Sequence, residues 1–476
     1  MSAITAARST RKIAPLNRPQ QVLILFVAWL ALGLAFSGKA TLPLDASTQT
    51  PVQQKLSNWA EKLDANRDSS PLFVYFFNPL RTSIDTFINT IRHIISLPTG
   101  NNVIPYLGWA GVVALVGFIV YATSNARTAL LAVALLTSCG ALGLWTQTSE
   151  TLAMIIGAVI LSVIVGLPLG IWAGVSNNFL RFVTPVLDFA QIMPTFVYLT
   201  PLTLIFLIGP AAATIATMIY AIPPLIRITA HGIRHVPESV LESATSMGVT
   251  NRQILAKVKL PLARETIIVG LNQCVMAALS MVTIAAFIDA PGLGKTILLA
   301  LQTLDIGLGF TSGLAIVFLA IMLDRSASAS GRRARSFVPP TPTQIKQRRI
   351  GLGAAAAATV TCAVLSRQVM TFAVFPSQVN VGPTVAHVTN NALTWATDHL
   401  YFLTNGFQEF ITRAAINPIE AQLSNTPWFI TVAALTTLGL ILGGLRLAVT
   451  TAGCFLAILG FCFLATFLGT GALSTS

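Results

Sequence analysis

Few residues in this chain have the type and spacing for chemistry. "APGLGKT", Ala290–Thr296, has the glycines and lysine of a phosphate loop. That loop requires a glycine five positions before Gly294, and Asp289 stands there. Nucleotide binding is not expected. His231 and His235 are spaced i,i+4, but no Glu stands beside them as in a zinc-protease helix, so no metal is expected. No Ser-His-Asp set or catalytic carboxylate pair is visible. Five cysteines, Cys139, Cys274, Cys362, Cys454 and Cys462, all lie in apolar runs with no metal or disulfide spacing. They read as small core residues.

Two groups of residues remain. Asp188, Gln191, Asn272 and Gln273 lie within or beside long apolar segments. Polar groups at that depth either line a cavity or bond to a neighbouring helix, the latter worth about 0.6 kcal/mol on average. Met193, Phe196 and Tyr198 could line a path for a methylated cation, since aromatic faces attract quaternary ammonium, or could simply pack. With Asn272, Gln273 and Met276 they form the candidate solute path. The second group is "ESATSMGVTNRQILAKVKLP", residues 242–261, a polar loop between apolar segments. Pro237 can open a helix, with Glu238 and Glu242 near its positive end. Gly248 suits a left-handed cap, and Thr250 and Gln253 have capping-box spacing. Leu260-Pro261 restarts an apolar helix. The expectation is two short helices with a tight bend.

The elements that hold these residues are membrane spans. The chain is 54% hydrophobic and only 9% charged. Uncharged runs recur, such as Val22–Phe36, Tyr106–Thr123, Thr151–Gly174, Thr266–Phe287 and Phe455–Gly469. About 20 apolar residues cross a bilayer as a helix, and no alternating barrel pattern is present. The fold class is an all-α polytopic membrane protein with about eleven spans. The formal charge is +13, yet the basic residues cluster between spans: Arg8 to Arg18, Arg227 to Arg264 and Arg325 to Arg349. That placement sets orientation and meets acidic lipid, not nucleic acid. The first 40 residues mimic a signal peptide ending in Gly38-Lys39-Ala40, but an uncleaved anchor is the preferred reading.

Residues 1–104 are expected to hold a cytoplasmic tail, the first span and an amphipathic outer segment. Residues 105–148 hold two accessory spans around Arg127. The core, 149–325, contains a proline-broken span over residues 181–209 and the inner loop, 228–262. Residues 326–349 read as a basic flexible linker. Residues 350–476 repeat the order of the first spans, with Pro427 matching Pro105 and Arg446 matching Arg127.

Residues 242–261 resemble the EAA loop of ABC importer permeases. Glu242, Ala244, Gly248, Leu260 and Pro261 match that motif, with Ser243 and Val258 as mild departures. The resemblance implies a type I, MetI-like permease core whose loop docks in a groove of a separate ATPase subunit. "GLPLGIWAG", "PVLDFAQIMPTFVYLTP", "AIPPLIRIT", "GLGKTILLALQTLDIGLG" and "AIVFLAIMLDR" narrow it to the glycine betaine/proline betaine, or quaternary amine uptake, permeases. It covers roughly residues 80–325 and implies an osmoprotective transporter subunit of the bacterial cytoplasmic membrane. No catalytic site or cofactor is expected in the chain itself, because ATP is used by the partner. An extracytoplasmic solute-binding protein and a second permease copy or module are the other implied partners. The tail beyond 325 implies a two-module relative with an incomplete second module. Choline, carnitine or an amino acid are alternative solutes. An ion-coupled transporter is a rival that would need intramembrane acids, of which Asp188 and Asp305 are candidates. A membrane scaffold or sensor is another, though it has no use for a coupling loop.

Overall fold

The computed structural model describes residues 17–38, 51–95, 97, 106–335 and 342–471. The basic amino-terminal tail, Lys39-Ala40, Pro105 and the centre of the expected linker fall outside these residues. Among the described residues every regular element is helical. Among these residues seven helices are long and apolar enough to cross a membrane, and the number rises to eight if one bent pair counts as a span. Two shorter apolar helices, Gly108–Thr123 and Ala126–Ala141, accompany them.

The chain divides into two compact units. Residues 1–65 and 395–476 form one. Its helices are α1 (Arg18–Ala35) and α2 (Pro51–Ala65), joined later by elements from the far end of the sequence. The other unit, residues 66–394, contains α3 (Asn78–Ile95), α4 (Gly108–Thr123), α5 (Ala126–Ala141), α6 (Trp145–Val175), α7 (Asn177–Ile192), α8 (Thr195–Phe206) and α9 (Pro210–Arg234). There follow α10 (Glu238–Ser246), α11 (Asn251–Ile254), α12 (Leu260–Ile284), α13 (Leu293–Thr303), α14 (Ile306–Arg335), α15 (Pro342–Gln368) and the short α16 (Met370–Ala373). Next is α17 (Gly382–Ile411), then α18 (Asn417–Asn425) and α19 (Trp428–Gly471).

In the larger unit α6, α9 and α12 form the centre. Gly166, Gly170 and Gly174 recur every fourth residue on α6 and meet Leu225, Thr229 and Ile233 of α9 at the same spacing. On the other face of α9, Gly232 meets Thr266 and Ile228 meets Gly270 of α12. Lipid chains are as apolar as leucine, so helices in a bilayer gain from close backbone approach, and small residues allow it. A methyl group at Gly170 would lie 2.8 Å from Thr229 Cβ.

The proline break is sharp, the mark of a broken span or a re-entrant loop. α7 and α8 meet at Met193-Pro194 with a 102° bend. Proline cannot donate to the preceding turn and disfavours helix in the residue before it, and Met193 is extended with ψ 126°. Outside the loop face, α3 is tied to the core at its middle and its last turn. Arg92 pairs with Glu150 at 2.9 Å, and Asp85 Oδ1 accepts the Ala211 N–H at 2.9 Å, capping α9. Fully buried Ile88 fits against Gly157 of α6.

One expectation is corrected here. The linker does not begin at 326, because α14 stays helical to Arg335. Alanine and arginine favour helix, and Ser330 Oγ bonds back to the Ser326 carbonyl at 2.9 Å, so the serines need no loop. Residues 350–394 pack within the larger unit. α15 lies along α4, with Thr359 Oγ1 bonding to the Ala114 carbonyl at 3.2 Å and Arg348 Nη2 to the Ala122 carbonyl at 2.9 Å. Phe375 then sits against Trp109 and Trp145, at centroid distances of 4.8 and 6.2 Å.

In the smaller unit α1 packs on α19. Trp29 Nε1 donates to Thr431 Oγ1 at 3.5 Å, and Gln422 Nε2 donates to the Trp29 and Leu30 carbonyls. α19 is broken at Gly444, where φ is +74°, two residues before Arg446.

Candidate functional site: the inner loop

α9 ends at Arg234, whose guanidinium closes the loop's near side. Its Nη2 reaches the Ala173 carbonyl at 2.7 Å and the Ser176 carbonyl at 3.1 Å. The Ala173 carbonyl lies in the last turn of α6 and has no partner within that helix, while the Ser176 carbonyl also accepts the Leu180 N–H at 3.1 Å as it opens α7. The loop is therefore rooted on α6 as well as on α9.

From that root Pro237 caps α10, with Glu238 as first helical residue. Pro237 stands one place before the position expected for it. α10 ends in a Schellman motif: the Gly248 N–H bonds to the Thr245 carbonyl at 2.9 Å and the Val249 N–H to the Ala244 carbonyl at 3.4 Å. Gly248 has φ +72°, as that cap requires. Thr250 N–H donates to Gln253 Oε1 at 3.0 Å, which is the return half of the capping box.

The second short helix of the expected pair is not separate. α11 runs through a wide π turn, Leu255–Lys259, straight into α12. The whole of Asn251–Ile288 passes as one span candidate of 38 residues. Leu260 and Pro261 thus lie inside a continuous helix. Pro261 is tolerated because the wider turn loosens the ladder around it.

Glu242 and Gly248 are exposed, while Ala244 is buried at the base of α10. Sequence reasoning missed Met247. It is 81% exposed and stands at the tip, next to the glycine cap. An apolar residue beside a glycine in a polar loop was the available signal. It also missed Arg234 as a clamp, because a last-turn arginine is an ordinary helix feature.

The candidate solute path divides. Tyr198 is buried, with its hydroxyl 3.8 Å from Met281 Sδ on α12. Phe196 is exposed and meets Phe287 edge-on at 5.3 Å. Met193 sits at the bend. Gln273 is exposed and Met276 half-buried on α12. Asn272 faces elsewhere: its Nδ2 donates to Ser328 Oγ of α14 at 3.4 Å. Nine residues at 3.6 per turn put it about half a turn from Met281.

Two donors of "APGLGKT" have partners within the protein. The Leu293 N–H is taken by Thr151 Oγ1 at 2.8 Å, and Lys295 pairs with Asp289 at 2.5 Å. No group of three or more His, Cys, Asp or Glu able to hold a metal occurs among the described residues. Asp188 pairs with Arg227, and Asp305 Oδ1 accepts the Leu308 N–H at 3.0 Å at the start of α14.

The family described as "Binding-protein-dependent transport system inner membrane component" matches residues 166–336, which include the loop. The permease protein ProW of the Escherichia coli glycine betaine/proline betaine transport system is 39% identical over 55% of this chain and 71% of its own length. The chain belongs to this family of ABC importer permeases. It is a multi-pass inner membrane protein. The Bacillus subtilis glycine betaine permease OpuAB is 48% identical over 39% of this chain and 65% of its own. The Pelagibacter ubique trimethylamine N-oxide permease TmoV is 32% identical over 75% of this chain, which spans 50% of that relative's length. Among solved structures, a MetNI methionine ABC transporter chain matches over 39% of this chain and 94% of its own, at 22% identity and TM-score 0.36.

Proposed function

We propose that the chain is the permease subunit of an ATP-driven importer for glycine betaine, proline betaine or a related quaternary-amine compatible solute. A separate ATPase would grip the loop at 242–261, an extracytoplasmic binding protein would deliver the solute, and a second permease copy or module would complete the pathway. The observation that carries this reading is the inner loop. α10 is exposed and stopped by the Schellman cap at Gly248, α11 then runs directly into α12, and Arg234 ties the preceding end of α9 to α6. A connector needs none of that rigidity; a mechanical contact does. Glu242, Ala244, Gly248, Leu260 and Pro261 transmit the motion in this reading, with Ala244 seating α10 and Met247 presenting an apolar tip.

Solute choice is supported by relatives named for glycine betaine, proline betaine and trimethylamine N-oxide, all small methylated amines. Met193, Phe196, Tyr198, Gln273 and Met276 are the proposed path, with the Phe196 ring supplying a face for a methylated cation. Asn272 is set aside for the reason of its orientation. The acids that ion coupling would need, Asp188 and Asp305, have structural partners.

The test is uptake of labelled glycine betaine by cells lacking their own betaine uptake, expressing this chain with its ATPase and binding protein. Saturable uptake lost with an inactive ATPase is expected. Uptake that persists with the inactive ATPase and collapses with the ion gradient would overturn the reading.

A further inference from the structure

A cavity of about 690 Å³ opens between α4, α12, α14 and α15, away from the Tyr198–Met281 pair. Arg264 and Arg348 line it, with Asn272, Ser330 and apolar Ile268 and Leu271. No carboxylate lines it among the described residues. Each wall contributes its inner end. Ala122 and Thr123 close α4 before Arg127, Arg264 lies three residues past Pro261, Ser330 is near the end of α14, and Arg348 is near the start of α15. The cavity therefore lies at the loop side of the membrane, where basic clusters mark the inner face.

Its chemistry is that of an anion with a greasy tail. Arg348 is held in place by its Nη2 bond to the Ala122 carbonyl, which leaves its other guanidinium donors available. Arg264 has no ion pair among the described residues. Arginine forks match phosphate oxygens two at a time. Below them Ile268 and Leu271 give an apolar wall one helical turn long. A soluble anion would use the arginines and leave that wall idle. Basic pockets between helices on the inner side suit phospholipid head groups.

We propose that this cavity binds the phosphate of an anionic phospholipid of the inner leaflet, with Arg264 and Arg348 as its ligands and Ile268 and Leu271 along the acyl chain. The site rests on the orientation of the loop and not on the identity of the solute. Because Arg264 sits on α12 just beyond the loop, a bound lipid would brace the root of the coupling element against α4 and α15.

The test is native mass spectrometry of the purified full chain with phosphatidylglycerol, phosphatidylcholine or inorganic phosphate added. Retention of one phosphatidylglycerol, in preference to phosphatidylcholine, is expected. Arg264→Gln with Arg348→Gln should weaken it about tenfold, the loss of roughly one charge-assisted contact. Arg264→Lys with Arg348→Lys should keep most of the binding and serves as the folding control. Ile268→Trp, which keeps both charges and fills the apolar wall, should also weaken it. Equal retention of the two lipids, or unchanged retention in the Gln pair, would overturn the proposal. So would displacement of phosphatidylglycerol by millimolar phosphate, which would make this a site for a soluble anion.

Discussion

Gly248 is the residue on which the inner loop turns. Its φ of +72° closes the Schellman cap, and no atom lies within 4 Å of where a Cβ would be. A substitution there meets backbone strain alone, about 1–2 kcal/mol for an L-residue held in that region. Gly248→Val adds β-branching and should redirect α10 while leaving the spans intact. The expected outcome is normal membrane insertion with uptake abolished, and Gly248→Ala should retain a measurable fraction. Normal uptake by well-inserted Gly248→Val would remove this residue from the coupling path. Met247 tests contact and not conformation. Exposed and outside the helix core, it should tolerate Met247→Glu without loss of fold. Co-purification of the ATPase subunit should fall at least several-fold, and an unchanged yield of complex would exclude the tip from the docking surface. Gly248 was legible in the sequence because only a cap explains a glycine between two helical patterns. Met247 was not, because exposure depends on how α10 is hung, and its spacing is silent on that.

At the scale of elements, α6 and α9 are held by a ladder of small residues. Gly170→Leu would force the helices apart at its 2.8 Å contact with Thr229. A loss of about 1–3 kcal/mol is expected from overpacking of this kind. It should appear as a lower thermal midpoint of the detergent-purified chain and lower steady-state abundance. A wild-type midpoint would mean the interface is softer than its geometry. Proline and hydropathy made the broken span at Met193-Pro194 readable in advance. The π turn at Leu255–Lys259 was not readable. Its five residues look like any helix, and Leu260-Pro261 looks like a restart, so the sequence pattern favoured two pieces where there is one. The reading of a linker from residue 326 failed similarly: small and polar residues mark a loop only when no helix continues through them.

On the scale of the whole chain, residues 342–394 are fastened to the core instead of trailing from it. Phe375 anchors them between Trp109 and Trp145, and its ring edge lies where a Gly140 Cβ would be. Phe375 is half-buried, so Phe375→Ala should cost less than the about 3–5 kcal/mol of a fully buried phenylalanine. Limited proteolysis of the purified chain should then cut in 369–381 at low protease, where the parent resists. Equal resistance would show that the helix contact of α15 with α4 suffices alone. Span order and the repeat-like return of a basic start and apolar segment were visible from charge and hydropathy. The partner of α15 was not, because apolar helix faces look alike in sequence and only surface shape, here Gly111 against Ala363 and Gly351 against Tyr121, selects one.

The unbroken helix from Asn251 has a consequence in distances. At about 1.5 Å per residue its 38 residues extend roughly 55 Å. A tilt of about 5° about the loop end sweeps the opposite end through about 5 Å, on the order of one helix pitch. A rod of that length turns a small push at one face of the bilayer into a stroke at the other.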